Sequence, residues 1–149
     1  MNKKTKQLNN LISLHDDEYK TLVVELNNIK AEYQNSINLI KKIKSDIVRY
    51  NDDLASSMAN DTESYVRNYR NVKDYIIYLN DEVINETDRQ NAILHNLNVL
   101  EEYCKALKVK MKGYDLLIEQ NELEFNVKNI RDENNRNDDM WLLKRTTHD

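Results

Sequence analysis

Three histidines, one cysteine and several adjacent acid pairs are the side chains with the greatest potential for metal binding or acid–base work in this chain. The histidines are His15, His95 and His148, and the cysteine is Cys104. A structural zinc site takes four ligands. The register of two paired helices brings only His15 towards Cys104, which is two ligands short. That meeting reads as a packed, partly polar layer. The pairs Asp16–Asp17, Asp52–Asp53 and Asp138–Asp139 read as solvated faces. A phosphate cradle needs glycines so that backbone N–H groups can approach the anion, and the single Gly113 stands inside a helical pattern. A nucleophilic triad needs a shaped pocket to orient its base, which two paired helices do not enclose. The expectation is a protein that is not an enzyme and has no cofactor, metal or small-molecule substrate.

The elements that carry these residues follow from composition. The chain has 149 residues with one glycine and no proline, and 40% of it is apolar. Tight turns need Gly and Pro, so a chain this poor in both cannot change direction often. Sandwiches, barrels and doubly wound sheets are thereby disfavoured. A seven-residue repeat is the dominant signal. One set of positions is Leu8, His15, Leu22, Ile29, Ser36, Ile43 and Tyr50; the other is Ile12, Tyr19, Leu26, Tyr33, Ile40, Ile47 and Leu54. All but His15 and Ser36 are apolar. A second run holds Tyr65, Val72, Leu79, Glu86, Ile93, Leu100, Leu107, Tyr114 and Asn121, alternating with Tyr69, Ile76, Val83, Gln90, Leu97, Cys104, Met111, Ile118 and Phe125. Only Glu86, Gln90 and Asn121 break it. Alternating steps of three and four keep a stripe on one side of an α-helix, and a strict seven-residue period calls for a partner helix.

Between the runs lies the small, polar stretch from Ala55 to Ser64. Asn60 with Glu63 resembles a capping box and offers a helix start. The prediction is an all-α protein, a single long antiparallel two-helix coiled-coil hairpin with the second helix overhanging. Helix one runs over about 5–55, the turn over about 56–61, helix two over about 62–131 and a tail over about 132–149. Poorer helix propensity in the Asn-rich 126–139 stretch sets the last boundary. Pairing about the turn sets Tyr50 against Tyr69, Ile43 against Ile76, and Leu8 near Met111. Glu86 and Gln90 then fall opposite Tyr33 and Ile29, where a tyrosine hydroxyl is available to Glu86. The stripe through Tyr114, Ile118 and Phe125 outruns its partner, and an uncovered apolar stripe predicts another molecule. The lone Trp141, in the cluster Met140–Arg145, has the composition of an interface anchor or of a helix end folding back.

Charge and segments narrow the partners. The formal net charge is −4, whereas a phosphate-backbone binder shows a basic excess, so no nucleic acid partner is expected. One Cys excludes an internal disulfide and suits a reducing compartment. The lysines near the N-terminus are followed by His15, Asp16, Asp17 and Glu18 rather than a signal-type apolar run. A soluble, cytoplasmic protein is expected.

Three stretches of the chain carry a resemblance to a known family. The stretch Tyr50-Asn51-Asp52-Asp53-Leu54 leading into Ser57-Met58 is similar to the family's end of helix one and turn. Asn68-Tyr69 followed by Val72, Ile76 and Leu79 resembles an Asn-Tyr and apolar pattern at the same spacing. Glu133-Asn134, Asp138-Asp139-Met140-Trp141 and Arg145 resemble the family's polar run, acidic pair plus aromatic, and basic tail. This resemblance, to the FliJ family, the coiled-coil stalk of the flagellar type III export ATPase, covers nearly the whole chain. It implies a non-enzymatic export stalk that binds the hexameric export ATPase, assists its ring assembly, couples it to the membrane export gate protein and contacts export chaperones. Such a stalk works at the cytoplasmic face of the inner membrane. The gate surface implied by position is Leu39, Ile43 and Tyr50 on helix one with Val72, Ile76, Leu79 and Val83 on helix two. Asp46 stands where the family has an aromatic residue. The opposite end, with Tyr114, Ile118, Phe125 and Trp141, is the implied ATPase contact. The equivalent stalk of a virulence injectisome, a homodimeric coiled-coil spacer and a membrane tether held by Met140–Arg145 are the alternative readings.

Overall fold

A computed structural model describes residues 2–57 and 63–147, with side chains described over 2–56 and 66–145. It contains two helices, α1 (Lys3–Ser57, 55 residues) and α2 (Glu63–Thr147, 85 residues), and no strand among the described residues. The fold is the expected all-α pair of antiparallel helices, with α2 much the longer. The turn was expected over about 56–61; Ser56 and Ser57 still belong to α1, and the rest of that turn and the Asn60–Glu63 cap fall outside the described residues or side chains.

Helix α2 does not stop near residue 131, where the propensity argument placed its end, but continues to Thr147. No glycine or proline follows Gly113 to break it. The spacing of Glu124, Lys128, Asp132 and Arg136 also sets opposite charges four residues apart, which supports a helix against weak intrinsic propensity. At its end the Arg145 guanidinium lies over the Trp141 ring, 5.3 Å from the centroid.

The contacts divide the chain into two compact units, through both of which the helices run. Unit one joins Met1–Thr21 to Cys104–Asp149; unit two is Leu22–Tyr103. Unit two is built on buried Ile40, Ile43 and Leu54 from α1 and Ile76, Leu79, Ile93 and Leu97 from α2. Every one of these is a repeat position, so the period that predicted the helices also supplies the core. Ser36 interrupts this stripe and is only 1% exposed. Its hydroxyl donates to Glu86 Oε1 at 2.8 Å. Glu86 therefore meets Ser36 rather than Tyr33, and the helices are offset from the register read from the sequence.

Unit one is displaced in the same direction. His15 stacks on Tyr114, with centroids 5.7 Å apart and rings inclined by 14°, instead of approaching Cys104. Cys104, Leu107 and Leu8 are buried. The N-terminus of α1 is fastened by a polar cluster. Asn2 caps the helix, its side-chain oxygen accepting from the Thr5 N–H at 2.8 Å, which satisfies a donor that helix starts leave orphaned. Asn121 of α2 then donates to Asn2 Oδ1 at 2.9 Å and to Thr5 Oγ1 at 2.7 Å. The break that Asn121 makes in the apolar repeat is thus where α2 receives the start of α1.

Candidate partner-binding surfaces

The residues expected at the ATPase end lie in unit one, in unequal settings. Tyr114 and Ile118 are half-buried, and Tyr114 is covered by His15. They belong to the paired seam, which corrects the expectation that the overhang begins at Tyr114. The offset register explains this, since α1 reaches along α2 as far as Asn121. Phe125 is 45% exposed and Trp141 61%. From residue 122 to residue 145 every side chain of α2 is exposed. Leu123, Val127, Ile130, Met140, Leu142 and Leu143 are each at least half exposed along this stretch.

His15 carries the one unsatisfied buried polar atom found among the described residues. Its Nδ1 has no hydrogen-bond partner and stands 3.6 Å from Glu18 Oε2. No cluster of three or more His, Cys, Asp or Glu side chains suited to a metal ion occurs among the described residues. No described helix is long and apolar enough to cross a membrane.

The residues expected at the gate end lie in unit two and also divide. Ile43, Ile76 and Leu79 are 9%, 8% and 6% exposed. They fill the seam, and packing between the helices accounts for them. Tyr50, Val72 and Val83 are half-buried, and Leu39 is exposed. The structure adds side chains that sequence reasoning missed. Tyr50 meets Tyr75 edge-on at 5.3 Å, and Tyr75 stacks on Tyr78 at 6.0 Å. Arg49 sits over the Tyr50 ring at 5.1 Å and pairs with Asp46 at 3.5 Å. Tyr75 and Tyr78 are 43% and 55% exposed. A signal was present, because each immediately precedes a seam residue, Ile76 or Leu79, at a position that a helix turns outward.

Glu86 is the one described carboxylate with a clear electrostatic perturbation. The Ser36 hydroxyl bond holds its carboxyl below the usual glutamate range. Arg89 adds to this at 2.6 Å, while partial burial works the other way. The bond thus favours the ionised state in a largely apolar seam.

Two paired helices that offer long exposed faces define a coiled-coil binding scaffold. The chain belongs to the FliJ family: the family model described as "Flagellar FliJ protein" matches residues 4–144, nearly the whole length. It is accordingly a structural component of flagellar protein export. Comparisons with curated proteins and with solved structures give no match.

Proposed function

We propose that this protein is the stalk that binds the hexameric export ATPase, promotes assembly of its ring and couples it to the membrane export gate protein and to export chaperones. It would do so at the cytoplasmic face of the inner membrane. The observation that carries this reading is the uncovered part of α2, whose side chains are all exposed from residue 122 to 145. A bare helix presents its side chains to a ring interior too narrow for a globular domain. Contacts that differ between free and assembled ring subunits then favour the assembled form. Phe125 and Trp141 are the anchors, with Ile118 at the margin of the seam. Tyr114 supports them from within the pair.

At the gate end the accessible contacts are Leu39 and the open sides of Tyr50, Val72 and Val83. Ile43, Ile76 and Leu79 maintain the packing that holds them in place. The test is ATPase turnover and capture on the cognate ATPase for the wild type and for Phe125→Ala/Trp141→Ala. Circular dichroism should show unchanged helicity, while capture and stimulation fall together. Undiminished capture by the double variant would remove the uncovered helix from the mechanism.

A further inference from the structure

Beyond the seam, α2 carries a second apolar stripe. Val109, Leu116, Leu123 and Ile130 repeat every seven residues, and each is exposed by 58–72%. Ala106, Gly113, Gln120 and Val127 alternate with them at steps of three and four. At about 100° per residue these positions point away from the seam residues Leu107, Met111, Tyr114 and Ile118. Val109 and Leu116 are therefore on the face turned from α1, and Leu123 and Ile130 carry the same line into the stretch that α1 leaves uncovered. A sustained seven-residue apolar pattern is the signature of a helix awaiting another helix.

The charges beside the stripe identify that helix. Residues 105–112 contain Lys105, Lys108, Lys110 and Lys112 with no acid. Residues 113–124 contain Asp115, Glu119, Glu122 and Glu124 with no base. A second copy laid parallel in register would set lysines on lysines. Laid antiparallel, with the two-fold axis between Tyr114 and Asp115, it sets each basic block on the other copy's acidic block. The same alignment places Leu116 of one copy over Gly113 of the other, and Leu123 over Ala106. Gly113 is half-buried, and an added Cβ there would meet nothing within 4 Å. Leucines thus face small residues in two layers of the contact, and Val109 meets Gln120 in the layer between them. On the flanks Lys105 comes beside Glu119, and Lys110 beside Glu124.

We infer that this face of α2 is a self-recognition surface, through which two copies pair antiparallel, back to back, around Gly113. Its validity does not depend on the ATPase reading. The pairing covers part of the α2 stretch that the ATPase reading leaves bare, so it belongs to the free protein and opens before α2 enters the ring.

Sedimentation equilibrium over a wide concentration range tests it. The expected result is a mass rising from 17.8 kDa to twice that value. Gly113→Leu, whose side chain would fill the hole for Leu116, should abolish the rise while keeping full helicity. Lys110→Glu and Glu124→Lys should each weaken the dimer about tenfold, because each turns two flanking attractions into repulsions. Combining them should restore the wild-type constant. A zero-length crosslink between Lys110 of an isotope-labelled copy and Glu124 of an unlabelled copy should confirm the orientation. A monomeric mass at every concentration would overturn the inference. So would a dimer indifferent to Gly113→Leu, or a double charge variant no tighter than the singles.

Discussion

Replacing Ser36 by alanine probes the register more sharply than any apolar truncation. Ser36 is almost fully enclosed and donates to a carboxylate on the opposite helix. Hydrogen bonds to charged groups are worth about 1.5–3 kcal/mol. Glu86 keeps its Arg89 contact at 2.6 Å, and its side chain remains 14% exposed, so water and Arg89 recover part of the loss. The cost of Ser36→Ala at pH 7 should be about 1 kcal/mol, which lowers Tm by about 2–4 °C for a chain of this size. Acid should shrink the difference. The folded value of Glu86 is depressed, so its ionised form adds stability above the ordinary glutamate value of about 4.3. That contribution disappears as pH falls through the lower folded value. Below that point only a neutral bond remains, worth about 0.5 kcal/mol at the low end of the usual range. Thermal melts of wild type, Ser36→Ala, Glu86→Leu and the double variant, each at pH 7 and pH 3, complete the cycle. Glu86→Leu alone leaves the enclosed hydroxyl unpaired and should be destabilising. The double variant replaces both partners by apolar groups and should recover most of the loss. A Ser36→Ala melt equal to wild type at pH 7, or a gap that widens in acid, would refute the pairing of Ser36 with Glu86 and the register with it.

Other outcomes follow from the same geometry. Leu107→Ala, at a 5% exposed seam position, should cost about 2–4 kcal/mol, whereas Leu116→Ala should change the monomer's stability by less than about 0.5 kcal/mol; chemical denaturation compares them. Asn121→Ala should loosen the start of α1 by about 1 kcal/mol, and amide exchange should rise first near Thr5. Ile76→Ala should weaken gate binding only in proportion to lost helicity, whereas Leu39→Ala should weaken it with helicity intact; titration of the gate protein's cytoplasmic domain alongside circular dichroism separates the two. Leu26→Asp places an unpaired charge on the seam and should unfold the pair, which a thermal melt would show.

Much of this protein was legible in one dimension because a seven-residue period needs no long-range knowledge to read. The repeat from Leu8 to Leu54 and its counterpart from Tyr65 to Phe125 determined two helices, the side of each that is buried, and the identity of the core. The scarcity of Gly and Pro determined that the chain turns back rarely. The resemblance carried by the Asn68-Tyr69 region, the turn and the Trp141 tail agreed with the family match. The sequence did not determine the longitudinal offset. A shift of one heptad returns apolar residues to apolar neighbours at nearly equal energy, so hydrophobic pattern alone is degenerate along the axis. Directional polar contacts lift that degeneracy, and they appear only when the helices are together: Ser36 with Glu86, and Asn121 with Asn2 and Thr5. The offset in turn decided that Tyr114 is covered while Phe125 is not. Period is a property of the chain, whereas register is a property of the pair.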